Sequence, residues 1–238
     1  MLKQRVITAV VLLLILLPAL FYPAPQPFAL LALVLIAAAA WEWGRLNHCG
    51  LAVVWLGVLI CVLLCGLTWQ LGWLSRPVPL VWSVVGGLWV LCGGWLLRQG
   101  VPVWPRVPAA LRWSLGLGAL WATWLAVAQA RVIGINFLLS VLVLVWVADI
   151  AAYFAGKAWG GRFSRAKLAP SISPGKSWEG VWGGMVGVLV LALVWRWADQ
   201  AVPLTVPSLY TRLGLPGVWF LLLASLFLAA MSVVGDLV

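Results

Sequence analysis

The sequence predicts an all-α, polytopic integral membrane protein with about eight transmembrane helices. Three observations predict it: 65% of the 238 residues are hydrophobic, the mean hydropathy is +1.12, and only 8% of residues are charged, whereas a soluble domain carries about 25%. Windows of about 20 apolar residues, the length that crosses a hydrocarbon core as a helix, centre on residues 6–21, 28–43, 51–69, 78–97, 113–130, 135–155, 178–197 and 217–238. They form one membrane domain over 1–238, with amino-terminal helices in 1–134 and the polar motifs gathered in 135–238.

The first window follows Lys3 and Arg5 and runs through Pro18-Ala-Leu-Phe-Tyr-Pro23 straight into the second, without the small-residue site of a cleaved targeting peptide. Pro23-Ala-Pro-Gln-Pro27 marks the turn between them, and the Pro-interrupted stretch 98–108 reads as an interfacial connection. His48, beside Asn47 in a short loop after the second window, reads as ordinary interfacial polarity or as a functional group. Cys61 and Cys65 lie four apart on one helix face and read as small packing residues; with Cys49 and Cys92 they imply neither a disulfide nor a metal cluster. The seventh window carries Gly180, Gly183, Gly184 and Gly187, a smooth strip for close helix packing or for a cavity beside it. Many of the 19 Trp residues fall near window ends, where an indole is stable among headgroups.

Charge orients the chain. With the amino terminus in the cytoplasm, alternating spans place Lys3, Arg5, Arg45, Arg98, Arg106, Arg112, Lys157, Arg162, Arg165, Lys167 and Lys176 on the cytoplasmic side. Arg76, Arg131, Arg196 and Arg212 fall opposite, so the positive-inside rule favours this orientation. The net charge of +10 therefore concerns topology and anionic lipid, and no basic face interleaved with aromatics points to nucleic acid. Four of the five acids, Glu42, Asp149, Glu179 and Asp236, come to the cytoplasmic ends of their spans, and Asp199 lies opposite. A carboxylate near hydrocarbon is expensive unless paired, hydrated or bound to a cation. Several at one depth suit a shared divalent metal.

The cytoplasmic loop 156–177 is the internal polar segment long enough to build a site. Pro174-Gly175 favours a turn, Lys176 can face an anion, and Ser177 can cap a helix starting near Trp178, leaving backbone N–H groups toward phosphate. Glu179 in the first turn suits the helix dipole. The spacing is not that of a Walker A loop.

At Trp146-Val-Ala-Asp149, Ala152-Tyr-Phe-Ala-Gly156, Gly160, Lys167-Leu-Ala-Pro170, Ser173-Pro-Gly-Lys176-Ser-Trp-Glu-Gly180 and Ser232-Val-Val-Gly-Asp236-Leu, the chain resembles the bacterial phosphatidate cytidylyltransferases, or CDP-diacylglycerol synthases. The ordered run is more specific than any one glycine or acid. The resemblance implies transfer of CMP from CTP to phosphatidic acid at the bacterial inner membrane, giving CDP-diacylglycerol and pyrophosphate, with Mg²⁺ as cofactor. It implies Asp149 and Asp236 as metal ligands and, with Lys176, as catalytic residues. Lys167, Ser173, Lys176 and Ser177 would hold phosphates, and Glu179 would orient Lys176 or join the cation site. CTP, phosphatidic acid, membrane lipids and a second copy of the chain are the implied partners. After Asp236-Leu-Val238 the family continues into a basic segment and an Asp-Arg-x-Asp signature, so the resemblance leads one to expect either a carboxy-terminal truncation or a degenerate member. Competing readings are a CTP-dependent lipid kinase, a transporter for an anionic lipid and a scaffold. No internal repeat or matched pair of broken helices supports transport.

Overall fold

The computed structural model describes residues 2–164, 167–202 and 205–237. Arg165 and Val238, counted above among the cations and in the last window, lie outside the described residues, as do the side chains of Lys3 and Arg5. The helices are α1 (Leu2–Phe21), α2 (Gln26–Leu46), α3 (Leu51–Gln70), α4 (Pro79–Gln99), α5 (Ala109–Ile133), α6 (Ile135–Trp159), α7 (Trp178–Ala201), the short α8 (Leu209–Leu213) and α9 (Val218–Leu237). Among the described residues seven of them, α2 to α7 and α9, are long and apolar enough to cross a membrane; Val10–Phe21 of α1 is a shorter apolar helix. Helices are the form an apolar chain takes here because each backbone N–H and C=O must find its partner within the segment. Large side chains such as Leu91, 72% exposed, and Leu223, 67% exposed, then face lipid without penalty.

The chain divides into two compact units, one of Met1–Pro79 with Val107–Ile135 and one of Leu80–Arg106 with Asn136–Val238. In the first, α2 packs on α3 and α5. Trp124 is wholly buried and donates its indole N–H to the Ala29 carbonyl at 3.0 Å. Arg131, also buried, donates to the carbonyls of Leu20 and Tyr22 at the carboxy-terminal end of α1. Those carbonyls have no partner within the helix, so Arg131 works as an internal cap.

The second unit is built around Leu144 and Ala148 of α6, Val188 and Ala192 of α7, Tyr210 of α8, and Leu221 and Ala229 of α9. Glycine makes the α6–α7 contact close: a Cβ at Gly184 would stand 2.9 Å from the Ala148 carbonyl oxygen, and one at Gly180 would stand 3.0 Å from that of Ala152. Gly183 and Gly187 likewise meet Ala155 and Ala151. The glycine strip is therefore occupied within the chain.

At the far end of α7, Asp199 gathers the connection to α8. Its Oδ1 accepts from Asn136 Nδ2 at 3.0 Å, and its Oδ2 accepts from the Ser208 N–H at 2.9 Å and the Thr211 hydroxyl at 2.6 Å. Asn136 also donates to the Val206 carbonyl and accepts from the Trp195 indole, both at 3.0 Å. Ser140 Oγ accepts from the Leu209 N–H at 2.9 Å, and the Tyr210 hydroxyl donates to the Ser140 carbonyl at 3.2 Å. Burial pushes the Tyr210 phenol upward, so it stays protonated as the donor this bond needs.

The loop between α6 and α7 departs from the expected turn. It folds into an antiparallel pair, β1 (Lys167–Ala169) and β2 (Ser173–Ser177), in register Lys167 with Ser177 and Ala169 with Ser173. The turn falls at 170–172, closed by the Ile172 N–H on the Ala169 carbonyl at 3.1 Å, and Pro174-Gly175 lies inside β2. A two-stranded ribbon consists of edges alone, where proline is tolerated.

Candidate functional site

Five elements of the second unit, α6, β1, β2, α7 and α9, converge on one cavity. Helix α6 supplies Asp149, Tyr153 and Lys157, strand β2 supplies Lys176 and Ser177, and α9 supplies Asp236; the space they line with Ala, Gly and Val neighbours measures about 510 Å³. The close α6–α7 contact sets its floor, since Gly180 and Gly156 leave room for the Ser177 hydroxyl between them. Ser177 caps α7 as the sequence indicates, accepting from the Gly180 N–H at 3.2 Å.

Lys176 forms an ion pair with the Asp236 carboxylate and also donates to the Asp236 carbonyl oxygen at 3.0 Å. The lysine side chain is 27% exposed and the aspartate 56%, so water and ligand reach the pair and its attraction is well screened. Asp149 lies within electrostatic reach of both partners. Among the described residues its carboxylate takes part in no hydrogen bond or ion pair.

The other sequence-predicted residues fall elsewhere. Lys167 and Ser173 sit on the hairpin but outside the cavity wall, where Leu168 takes the lining position. Glu179 is buried and turned toward the preceding loop: its Oε1 accepts from the Phe163 N–H at 3.0 Å and the Ser164 N–H at 2.8 Å. Glu179 thus tethers residues 163–164 to the start of α7. Among the described residues no cluster of three or more His, Cys, Asp or Glu side chains forms a ready cage for a metal ion. Tyr153 and Lys157 join the site through the fold, and their spacing of four and eight from Asp149 on a helix, which puts all three on one face, is the signal in the sequence that points to them.

Fold and site together define a polytopic membrane protein with an acid–lysine pocket among α6, β2 and α9. The chain belongs to the Cytidylyltransferase family, whose model matches residues 3–238. It is 36% identical over 208 residues to a phosphatidate cytidylyltransferase of Pseudomonas aeruginosa, covering 78% of this chain and 67% of the relative. A Haemophilus influenzae protein of the same name is 32% identical over an alignment that takes in 100% of this chain and 84% of the relative. One from Bacillus subtilis is 39% identical over 105 residues, 44% of this chain and 33% of the relative. No solved structure matches. The chain is accordingly a nucleotidyltransferase of the bacterial inner membrane.

Proposed function

We propose that the chain transfers the cytidylyl group of CTP to phosphatidic acid, releasing pyrophosphate and leaving CDP-diacylglycerol in the bilayer. The observation that carries this reading is the Lys176–Asp236 pair beside Asp149 in one open cavity. A phosphatidate oxygen forms a bond to the α-phosphorus of CTP as the bond from that phosphorus to the bridging oxygen breaks. The protein's part is positioning two anionic substrates and neutralising charge.

Lys176 meets the polyphosphate, and in moving to it releases the Asp236 carboxylate. Asp149 and Asp236, which line the same cavity, are the residues that would hold a divalent cation. Mg²⁺ fits a pair of carboxylates, because it is held by one or two of them together with water and substrate phosphate; when bound it screens the polyphosphate and polarises its oxygens. The N-terminal turn of α7 offers backbone N–H groups to a phosphate. Ser177 fixes that turn, Lys167 and Ser173 add polar groups on the hairpin, and Glu179 keeps the basic loop against it. The amino terminus and the α6–α7 loop face the cytoplasm, the side from which CTP arrives.

The test supplies purified protein with Mg²⁺, phosphatidic acid and CTP labelled on its α-phosphate. It uses both this chain and the chain carried on through the carboxy-terminal segment of a longer relative. Labelled CDP-diacylglycerol with matching pyrophosphate, abolished by chelation, is the expected result. CDP release with an unlabelled phosphorylated lipid would make the protein a lipid kinase. No labelled lipid from either form would overturn the proposal.

A further inference from the structure

Asp149, Tyr153 and Lys157 succeed one another at intervals of four along α6, and all three line the cavity. Each step rises about 6 Å, so the wall reads, in order, carboxylate, aromatic ring, ammonium. Tyr153 is 63% exposed, as is its neighbour Phe154, yet of these two rings Tyr153 alone is a lining residue. The neighbours form an edge-to-face pair with centroids 5.4 Å apart, which holds the Tyr153 ring without covering both of its faces. The Lys157 ammonium lies 5.9 Å from the ring centroid, at the outer limit of a cation–π contact. A planar group with a π-face competes with so distant a cation on favourable terms.

We propose that Tyr153 is the stacking platform for the nucleobase of the incoming CTP. The inference rests on the cytidylyl-transfer reading and deepens it. With the α-phosphate at Lys176 beside Asp149, the rise of about 6 Å from Asp149 to Tyr153 along α6 matches the reach of a single ribose. A belt aromatic that only anchors a helix in headgroups has no need to share a wall with the acid and the lysine. Stacking on a side-chain ring accepts any base, so Tyr153 contributes affinity, and choice of cytosine falls to edge contacts elsewhere.

The test is equilibrium dialysis of CTP with Mg²⁺ against the detergent-purified chain, which needs no turnover, alongside the KM for CTP and for phosphatidic acid in the transfer assay. Tyr153→Leu keeps apolar bulk and removes the ring; Tyr153→Phe keeps the ring and removes the hydroxyl. The expected result is CTP binding weakened about 5- to 150-fold in Tyr153→Leu, the range that loss of one base–aromatic stack spans. Tyr153→Phe should bind within about 3-fold of the parent, with the KM for phosphatidic acid unchanged in both. Unaltered CTP binding in Tyr153→Leu, equal loss in both variants, or a rise confined to the KM for phosphatidic acid would overturn the assignment. If the parent bound no CTP, the assignment and the cytidylyl reading would fall together. Transfer by the parent with Tyr153→Leu unaffected would remove the platform and leave the reading intact.

Discussion

The two ends of the α6–α7 pair each hold aspartate, and they treat it in opposite ways. Asp199 accepts from Asn136, the Ser208 N–H and the Thr211 hydroxyl, and the donors are in turn tied to Val206 and Trp195. Its lone pairs are spent on the protein. Asp149 and Asp236 instead line an open cavity, where the single cation bonded to Asp236 is a lysine on a flexible stem and Asp149 has no bonded partner among the described residues. An acid whose lone pairs are filled by backbone and amide donors stabilises a fold. One left facing a cation and solvent has capacity for a ligand.

The contrast is sharpest in loss of function. Asp149→Asn and Asp236→Asn should each lower cytidylyl transfer about 10²- to 10³-fold, the loss that follows removal of one preorganised group from a transition-state site. Thermal unfolding in detergent should stay where it was. Parallel loss of folded protein and activity would mean that these acids, like Asp199, are structural. Asp199→Ala should do the reverse. It unpairs three part-buried donors, each costing less than the about 1–3 kcal/mol of a fully buried group because water reaches it, so the expected destabilisation is about 2–4 kcal/mol, with turnover per folded molecule preserved. A normal melting temperature in Asp199→Ala would break the comparison from its other side.

Lys176→Ala sits one step lower. A charge-assisted hydrogen bond contributes about 1.5–3 kcal/mol, which corresponds to CTP binding weakened roughly 10- to 100-fold. The same variant frees Asp236 of its partner, so divalent-cation binding in the absence of nucleotide should hold or tighten. Unchanged CTP affinity would remove the lysine from the phosphate site.

The sequence announces the cavity end far better than the Asp199 end. Asp149 and Asp236 stand out because charge is rare in apolar windows, and an acid there needs a reason; Lys176 stands out in the loop by its place next to the Ser177 cap. Asp199 is equally rare, but its partners are Asn136, Ser208 and Thr211, neutral residues on two other elements; only the folded connection between α7 and α8 brings them together. Spans were legible from hydropathy alone, and among the described residues eight windows become seven crossing-length helices with a shorter apolar stretch in α1. The hairpin was not, since Pro174-Gly175 reads as a turn until β1 pairs with the residues around it. Glu179 misleads for a related reason: its place in the first turn suits both a phosphate site and a tether. The choice is made by Phe163 and Ser164, whose N–H groups reach it only once the loop folds back.

The smallest expected effect is also the cleanest way to separate the ends, because each begins a helix with a serine cap. Ser177 accepts from the Gly180 N–H at 3.2 Å, and Ser208 accepts from the Thr211 N–H at 3.3 Å. Replacing either with Ala should destabilise the protein by about 1 kcal/mol, and the two melting curves should nearly coincide. Activity should not. Ser177 lines the cavity and fixes the first turn of α7 beside Lys176, so Ser177→Ala should also raise the KM for CTP severalfold at a temperature where both variants are fully folded. Ser208 is buried against the Asp199 network, and Ser208→Ala should turn over like the parent. Matching KM values would show that the hairpin and the α7 start hold their shape without the cap, and the catalytic weight would then rest on Asp149, Lys176 and Asp236.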